Sequence, residues 1–153
     1  MSLFEEFEQH IMKIESNIDS WISKLGLSYN HFAVLYSLMY SEEKNDLCTQ
    51  KKICDEWYIP KQTVFNICKE YREKGWIEFA ESAQDKREKI LRLTDIGREY
   101  AKPIYQMSSQ LSDKIFAKFG KRKTAQLFAL LTELDELCKT EIDKIERKNE
   151  NPI

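Results

Sequence analysis

Apolar side chains recur every three or four positions along the first 25 residues: Phe4, Phe7, Ile11, Ile14, Ile18, Trp21 or Ile22, and Leu25. Glu5, Glu6, Glu8, Glu15 and Asp19 fall between them. This spacing predicts one apolar stripe on an α-helix, which Gly26 ends. In "LSYNHFAVLYSLMYS", Ser28 is a cap candidate and Phe32, Leu35, Leu38 and Met39 share one face. After a polar break, "EEKNDLC", two shorter helical stretches follow. "TQKKICDEWYI" brings Ile53, Cys54 and Trp57 together behind Thr49 as a cap. "PKQTVFNICKEYREKG" opens on Pro60, which suits a first helical turn. Its apolar set is Val64, Ile67, Cys68 and Tyr71, and Gly75 closes it. The opposite face holds Lys61, Gln62, Thr63, Phe65, Asn66, Lys69 and Arg72.

The period then changes from 3.6 to two. "WIEFAES" alternates Ile77 and Phe79 with Glu78 and Ala80, and "KILRLT" alternates Leu91 and Leu93 with Ile90 and Arg92. With "SAQDKRE" between them they predict a β-hairpin with a polar tip. Thr94 is placed to cap the next helix, and Asp95 suits its first turn. Two long helices finish the chain. One covers 95–119, with a kink expected near Pro103. "GKRKT" is read as a break, and from about Thr124 to Lys148 a stripe of Leu127, Leu130, Leu131, Leu134, Leu137, Cys138, Ile142 and Ile145 recurs. The closing "KNENPI" is expected to fray.

The order is therefore helix, helix, short turn, helix, two-stranded hairpin, between long helices. This is a mainly α chain with a small β-hairpin wing, a winged helix-turn-helix with long N- and C-terminal helices. With 153 residues it is expected to be a single domain, 1–153. Residues 1–25 and 124–148 are expected to dimerise, because their stripes are too long for one small core. Residues 28–94 form the winged region.

Charge narrows the function. The chain carries a net −2, unevenly spread: residues 1–43 hold two lysines against seven acids, whereas 44–93 hold eleven basic and nine acidic residues. Any nucleic-acid contact must be a local patch in the middle segment. No stretch reaches the length of a membrane span, and the acidic "MSLFEEFEQH" is not expected to be a signal peptide. Cys48, Cys54, Cys68 and Cys138 lack CxxC spacing, and the histidines are only His10 and His31, so no metal site or other cofactor is expected. Free thiols in a reducing cytoplasm are the default. No Ser-His-Asp set, phosphate-cradling glycine loop or HExxH motif occurs, so an enzyme is not expected.

The candidate chemistry is DNA recognition. A helix presented N-terminus first fits the major groove, and Lys61, Gln62, Thr63, Asn66 and Lys69 supply cations and short polar donors. Gln62 and Asn66 could read an adenine edge. Phe65 is odd on such a face: it either meets a thymine methyl or tucks under the wing. The hairpin tip would reach the minor groove, where negative potential attracts an arginine. There Arg87 is the inserting residue, Asp85 is expected to hold its guanidinium by a bidentate pair, and Lys86 and Lys89 would meet phosphates.

On these residues the chain resembles the MarR-type transcriptional regulators. "DKREKILRLTDIG" looks like the family's wing signature, with Gly97 at the third place of the following helix. "PKQTVFNICKEYREKGWIE" is similar to the family's recognition helix, and "TQKKICDEWYI" to the helix before it, with Cys54 where a small alanine is usual. The resemblance implies a homodimer bound to palindromic double-stranded operator DNA, most often as a repressor, with release by a small-molecule effector in many members. It also implies an effector pocket between the dimer helices and the winged region, for which Trp21, Tyr29, His31 and Tyr105 are candidates. Two other readings stay open here: a helical protein–protein adaptor that has lost DNA binding, and a thiol-based oxidant-sensing regulator. The first helix lacks a cysteine, which weighs against the latter.

Overall fold

The computed structural model describes residues 1–149, and within them the predicted helices appear in order. Helix α1 (Leu3–Lys24) starts on a capping box, in which the Ser2 hydroxyl accepts from Glu5 N and the Glu5 carboxylate accepts from Ser2 N. Gly26, at φ 78°, turns the chain after it. Helix α2 (Tyr29–Glu43) is capped by Ser28, as predicted. It is buried on more faces than its apolar spacing indicates: Ala33, Val34, Ser37 and Ser41 are buried along with Phe32, Leu35, Leu38 and Met39. Helix α2 is thus the central post against which α1, α3, α4 and the sheet pack.

The strand β1 (Cys48–Thr49) was not foreseen in the polar break. It pairs antiparallel with β3 (Lys89–Leu93), Cys48 opposite Leu91, and β3 pairs with β2 (Ile77–Glu81), giving the order β1-β3-β2. Thr49 ends β1 and caps α3 (Gln50–Trp57), accepting from Lys52 N at 3.1 Å. Helix α3 is shorter than expected, because Tyr58 adopts a left-handed conformation at φ 53° and stops it. Pro60 is the N-cap of α4 (Lys61–Glu73). The four apolar positions of α4 are all buried, Val64, Cys68 and Tyr71 almost completely. Each fully buried aliphatic side chain in such a core contributes about 1.5–3 kcal/mol.

Thr94 joins the hairpin to α5 (Asp95–Phe119). Its hydroxyl accepts from Gly97 N at 3.1 Å and donates to Gly75 O at 2.6 Å. Helix α5 continues through Pro103. The expected break at "GKRKT" is confined to Gly120, at φ 109°, and α6 (Lys121–Asn149) begins at once. Of "KNENPI", Lys148 and Asn149 still belong to α6, and the other residues lie outside those described. The fold resolves into two compact units, Met1–Met107 and the segment from Ser108 onward. The first holds the core, from Ile22 through Tyr105. In the second, Phe116 meets Phe128 edge-on at 5.6 Å. Among the described residues no helix is long and apolar enough to cross a membrane.

Candidate nucleic-acid interface

Burial of Val64, Ile67, Cys68 and Tyr71 turns the other face of α4 outward. Lys61, Gln62, Asn66 and Lys69 are exposed, and Thr63 is half-buried at the edge. Gln62 and Asn66, one turn apart, are joined: Gln62 Nε2 donates to Asn66 Oδ1 at 2.9 Å. Each amide keeps further donors and acceptors beyond this bond, Gln62 its Oε1 and Asn66 its Nδ2, and the bond holds the two side chains together on the face. Phe65 is not tucked away. It remains 48% exposed in the middle of this polar face.

The wing tip, residues 82–88, is held by its own backbone. Ser82 N donates to Glu88 O at 3.2 Å, and Glu88 N to Asp85 O at 3.1 Å. The Ser82 hydroxyl, in a buried residue, accepts from Gln84 N and Asp85 N. Asp85 does not do what was expected of it. Its Oδ1 accepts from the backbone N–H of Arg87 at 2.9 Å, and no ion pair among the described residues joins it to the Arg87 guanidinium. A carboxylate bonded to the N–H two residues on closes an Asx-type turn. Asp85 therefore shapes the tip from which Arg87 projects and leaves the guanidinium unclamped. Lys86, Arg87 and Lys89 are all exposed.

Helix α4 and the wing face each other across an open cleft of about 720 Å³. Lys51 and Lys61 border it on the helical side, and Arg87 and Lys89 on the wing side, with Phe65 and Phe79 on its apolar part. Cations also cover the wing aromatic: Arg72 Cζ lies 5.0 Å and Lys89 Nζ 5.7 Å from the Phe79 ring centre. The acids in the cleft are Asp55, Asp85 and Glu88. The first is paired with Lys51 at 2.7 Å and the second is engaged with the backbone. Sequence reasoning missed Thr49, Gln50 and Lys51 as part of this rim, although a cation two places after the helix cap was a usable signal.

His31 ties α2 to α4. Its Nε2 donates to the Glu70 carboxylate at 2.8 Å, its Nδ1 lies 2.6 Å from Ser28 Oγ, and its carbonyl accepts from the Tyr71 hydroxyl at 3.1 Å. The hydrogen bond from His31 Nε2, then the His31 and Lys74 charges, hold Glu70 below the usual carboxylate range. Burial pushes the Tyr71 phenol well up. The other three effector-pocket candidates lie elsewhere. Trp21 meets Phe32 at 6.0 Å, Tyr29 meets Trp57 at 6.0 Å, and Tyr105 meets Tyr36 at 5.0 Å, all in one aromatic cluster around Tyr36. Tyr105 is buried there. The structure thus groups Trp21, Tyr29 and Tyr105 and sets His31 apart, against α4. Of the thiols, Cys48 and Cys68 are buried, and loss of solvation pushes them to about 11 and about 12, respectively. Cys54 and Cys138 are half-buried.

Three helices followed by a two-stranded wing, with a polar helix face beside a basic tip, define a winged helix-turn-helix protein. The profile of the MarR family matches residues 25–88. The chain is 30% identical over 129 residues to the uncharacterized HTH-type transcriptional regulator YdcH of Bacillus subtilis, spanning 80% of this chain and 84% of that one. It is 38% identical to NMB1585, a MarR family regulator from Neisseria meningitidis, whose structure superposes with a TM-score of 0.79 over 94% of this chain and 99% of that one. The chain belongs to the MarR family of transcriptional regulators. The S. aureus MepR–DNA complex, 18% identical, shares the fold with a TM-score of 0.67 over 89% of this chain and 98% of that one.

Proposed function

We propose that this regulator binds a palindromic operator as a homodimer and represses transcription until a small ligand releases it. In this reading Lys61, Gln62, Thr63, Asn66 and Lys69 of α4 enter the major groove. Asp85, Lys86, Arg87 and Lys89 form the wing that meets the adjoining minor groove, and 28–94 is the DNA-binding region. One observation carries it: Lys61 of α4 and Arg87 and Lys89 of the wing border the same open cleft, although the chain as a whole is slightly acidic. The dimer is supported separately. Phe4, Met12 and Ile14 on α1, and Leu130, Leu134, Leu137 and Ile142 on α6, are exposed, so residues 1–25 and 124–148 offer apolar surface that a partner copy would cover. In this reading effector release is assigned to Trp21, Tyr29, His31 and Tyr105, of which Trp21, Tyr29 and Tyr105 share one aromatic cluster.

The test is selection of bound genomic fragments, followed by titration of the recovered duplex at several salt concentrations. A specific site with inverted symmetry is expected, with log affinity falling by about 0.9 per phosphate contact for each unit of log salt. Sedimentation should give twice the 18.2 kDa chain mass. A folded protein that selects no DNA and shows no salt-dependent binding would instead be the adaptor.

A further inference from the structure

Among the described residues Phe65 is the one large apolar side chain that α4 leaves exposed. It sits one turn from Lys61 and one turn from Lys69, and next to the joined amides of Gln62 and Asn66. A half-exposed phenyl ring gains nothing from water, and its neighbours on this face are cations and hydrogen-bonding amides. Phe79 shares the cleft with it, but among the described residues the two rings make no contact, and Phe79 carries Arg72 and Lys89 over its own ring. We infer that Phe65 is a specificity residue that reads the 5-methyl group of a thymine in the major groove. This rests on the proposed DNA binding by α4.

The chemistry is restrictive. Base edges in the major groove present hydrogen-bond donors and acceptors and a single apolar group, the thymine methyl. The phosphates call for charge or N–H and O–H donors, none of which a phenyl ring has. Apolar wedges between base steps belong to minor-groove binders, and Phe65 stands on the helix face, not on the wing. It is also the fifth residue of α4, within the N-terminal part of a recognition helix that reaches base edges. Gln62 and Asn66 lie three residues before it and one after, on the same exposed surface. An amide that reads adenine and a ring that reads a thymine methyl suit neighbouring A·T pairs. The inference therefore specifies an A·T-containing core in each half-site, with thymine oriented toward Phe65.

The experiment replaces each thymine of one half-site with deoxyuridine, one at a time, in synthetic duplexes of the recovered operator. This removes only the methyl, and synthetic DNA carries no other methylated pyrimidine. One position should weaken binding of the native protein about fourfold, the scale of one buried methyl. Phe65→Ala should bind the thymine operator more weakly and respond no further to deoxyuridine there. Phe65→Leu, which keeps an apolar side chain, should retain the discrimination. Because Phe65 is half-exposed, both variants should fold, which circular dichroism and sedimentation verify. A flat deoxyuridine scan with the native protein, or a Phe65→Ala variant that discriminates as the native protein does, overturns the inference and leaves DNA binding intact. A native protein that selects no duplex at all overturns the proposed function first.

Discussion

Gly97→Ala tests how the wing is anchored to α5. A Cβ built at Gly97 would lie 1.9 Å from the Trp76 carbonyl oxygen, 2.7 Å from its carbonyl carbon and 2.9 Å from its Cα. All three are backbone atoms, so no side chain can swing aside. Ordinary contact begins at 3.4 Å, which leaves the oxygen 1.5 Å too close, the difference of the two distances. The same oxygen accepts from Thr94 N at 2.9 Å, the bond that closes the base of the hairpin, and α5 starts on that threonine. Moving α5 away therefore loosens the hairpin base as well. Overpacking of this kind costs about 1–3 kcal/mol, and a weakened backbone hydrogen bond adds about 1 kcal/mol. Alanine returns up to about 1 kcal/mol as the better helix former. The net expectation is a loss of about 1–3 kcal/mol, read from urea unfolding at fixed protein concentration as a lower midpoint with an unchanged slope. A Gly97→Ala protein as stable as the native one would refute the argument, because the propensity gain would then have met no clash.

Arg87→Ala should weaken operator binding by about 1–3 kcal/mol without changing fold or dimer. Asp85→Asn should keep most of the affinity that Asp85→Ala loses, since an amide oxygen still accepts from Arg87 N; equal losses in fluorescence anisotropy titrations would point back to a charge pair with the guanidinium. The Glu70 carboxyl, depressed by its bond to His31, contributes stability above its ordinary value of 4.5 that is lost as pH falls through its lower folded value. The urea midpoints of native protein and His31→Ala should therefore converge as pH drops below 4.5, and a gap that stays constant would contradict the pairing. Cys48 and Cys68, buried and raised to about 11 and 12, should resist iodoacetamide at pH 8 until urea unfolds the protein; mass spectrometry showing prompt modification of either would refute their core placement.

What could be read from the chain was what repeats or sits at a fixed offset. Val64, Ile67, Cys68 and Tyr71 are all buried, as their spacing on one helix face requires. Ser28, Thr49 and Thr94 each accept from the backbone N–H three residues on, because a cap is a local device that a few residues define. What escaped is non-local or too short to show a period. Strand β1 is two residues long, and its partners, Ile90 and Leu91, lie some forty positions away. The His31–Glu70 bond spans 39 residues. Burial of α2 on nearly every face goes beyond the one face that Phe32, Leu35, Leu38 and Met39 mark in its sequence. The early end of α3 depends on Tyr58, a residue type that carries no signal for a left-handed turn.

At the candidate site the same division separates residue from role. The polar spacing of α4 placed Lys61, Gln62, Asn66 and Lys69 on one exposed face, but only coordinates reveal that Gln62 and Asn66 are bonded to each other. An aspartate two positions before an arginine admits two bonds, one to the guanidinium and one to the N–H, and the sequence is identical for both. The second forms here. It is the cheaper choice physically, since it orders a few tip dihedrals and leaves the long arginine side chain its rotamers. Under the proposed DNA binding, the aim of Arg87 is set by the turn and completed only when a groove supplies the partner. This makes the wing a preformed base with an adaptable end, and it explains why Asp85 should tolerate asparagine while Arg87 should not tolerate loss of its guanidinium.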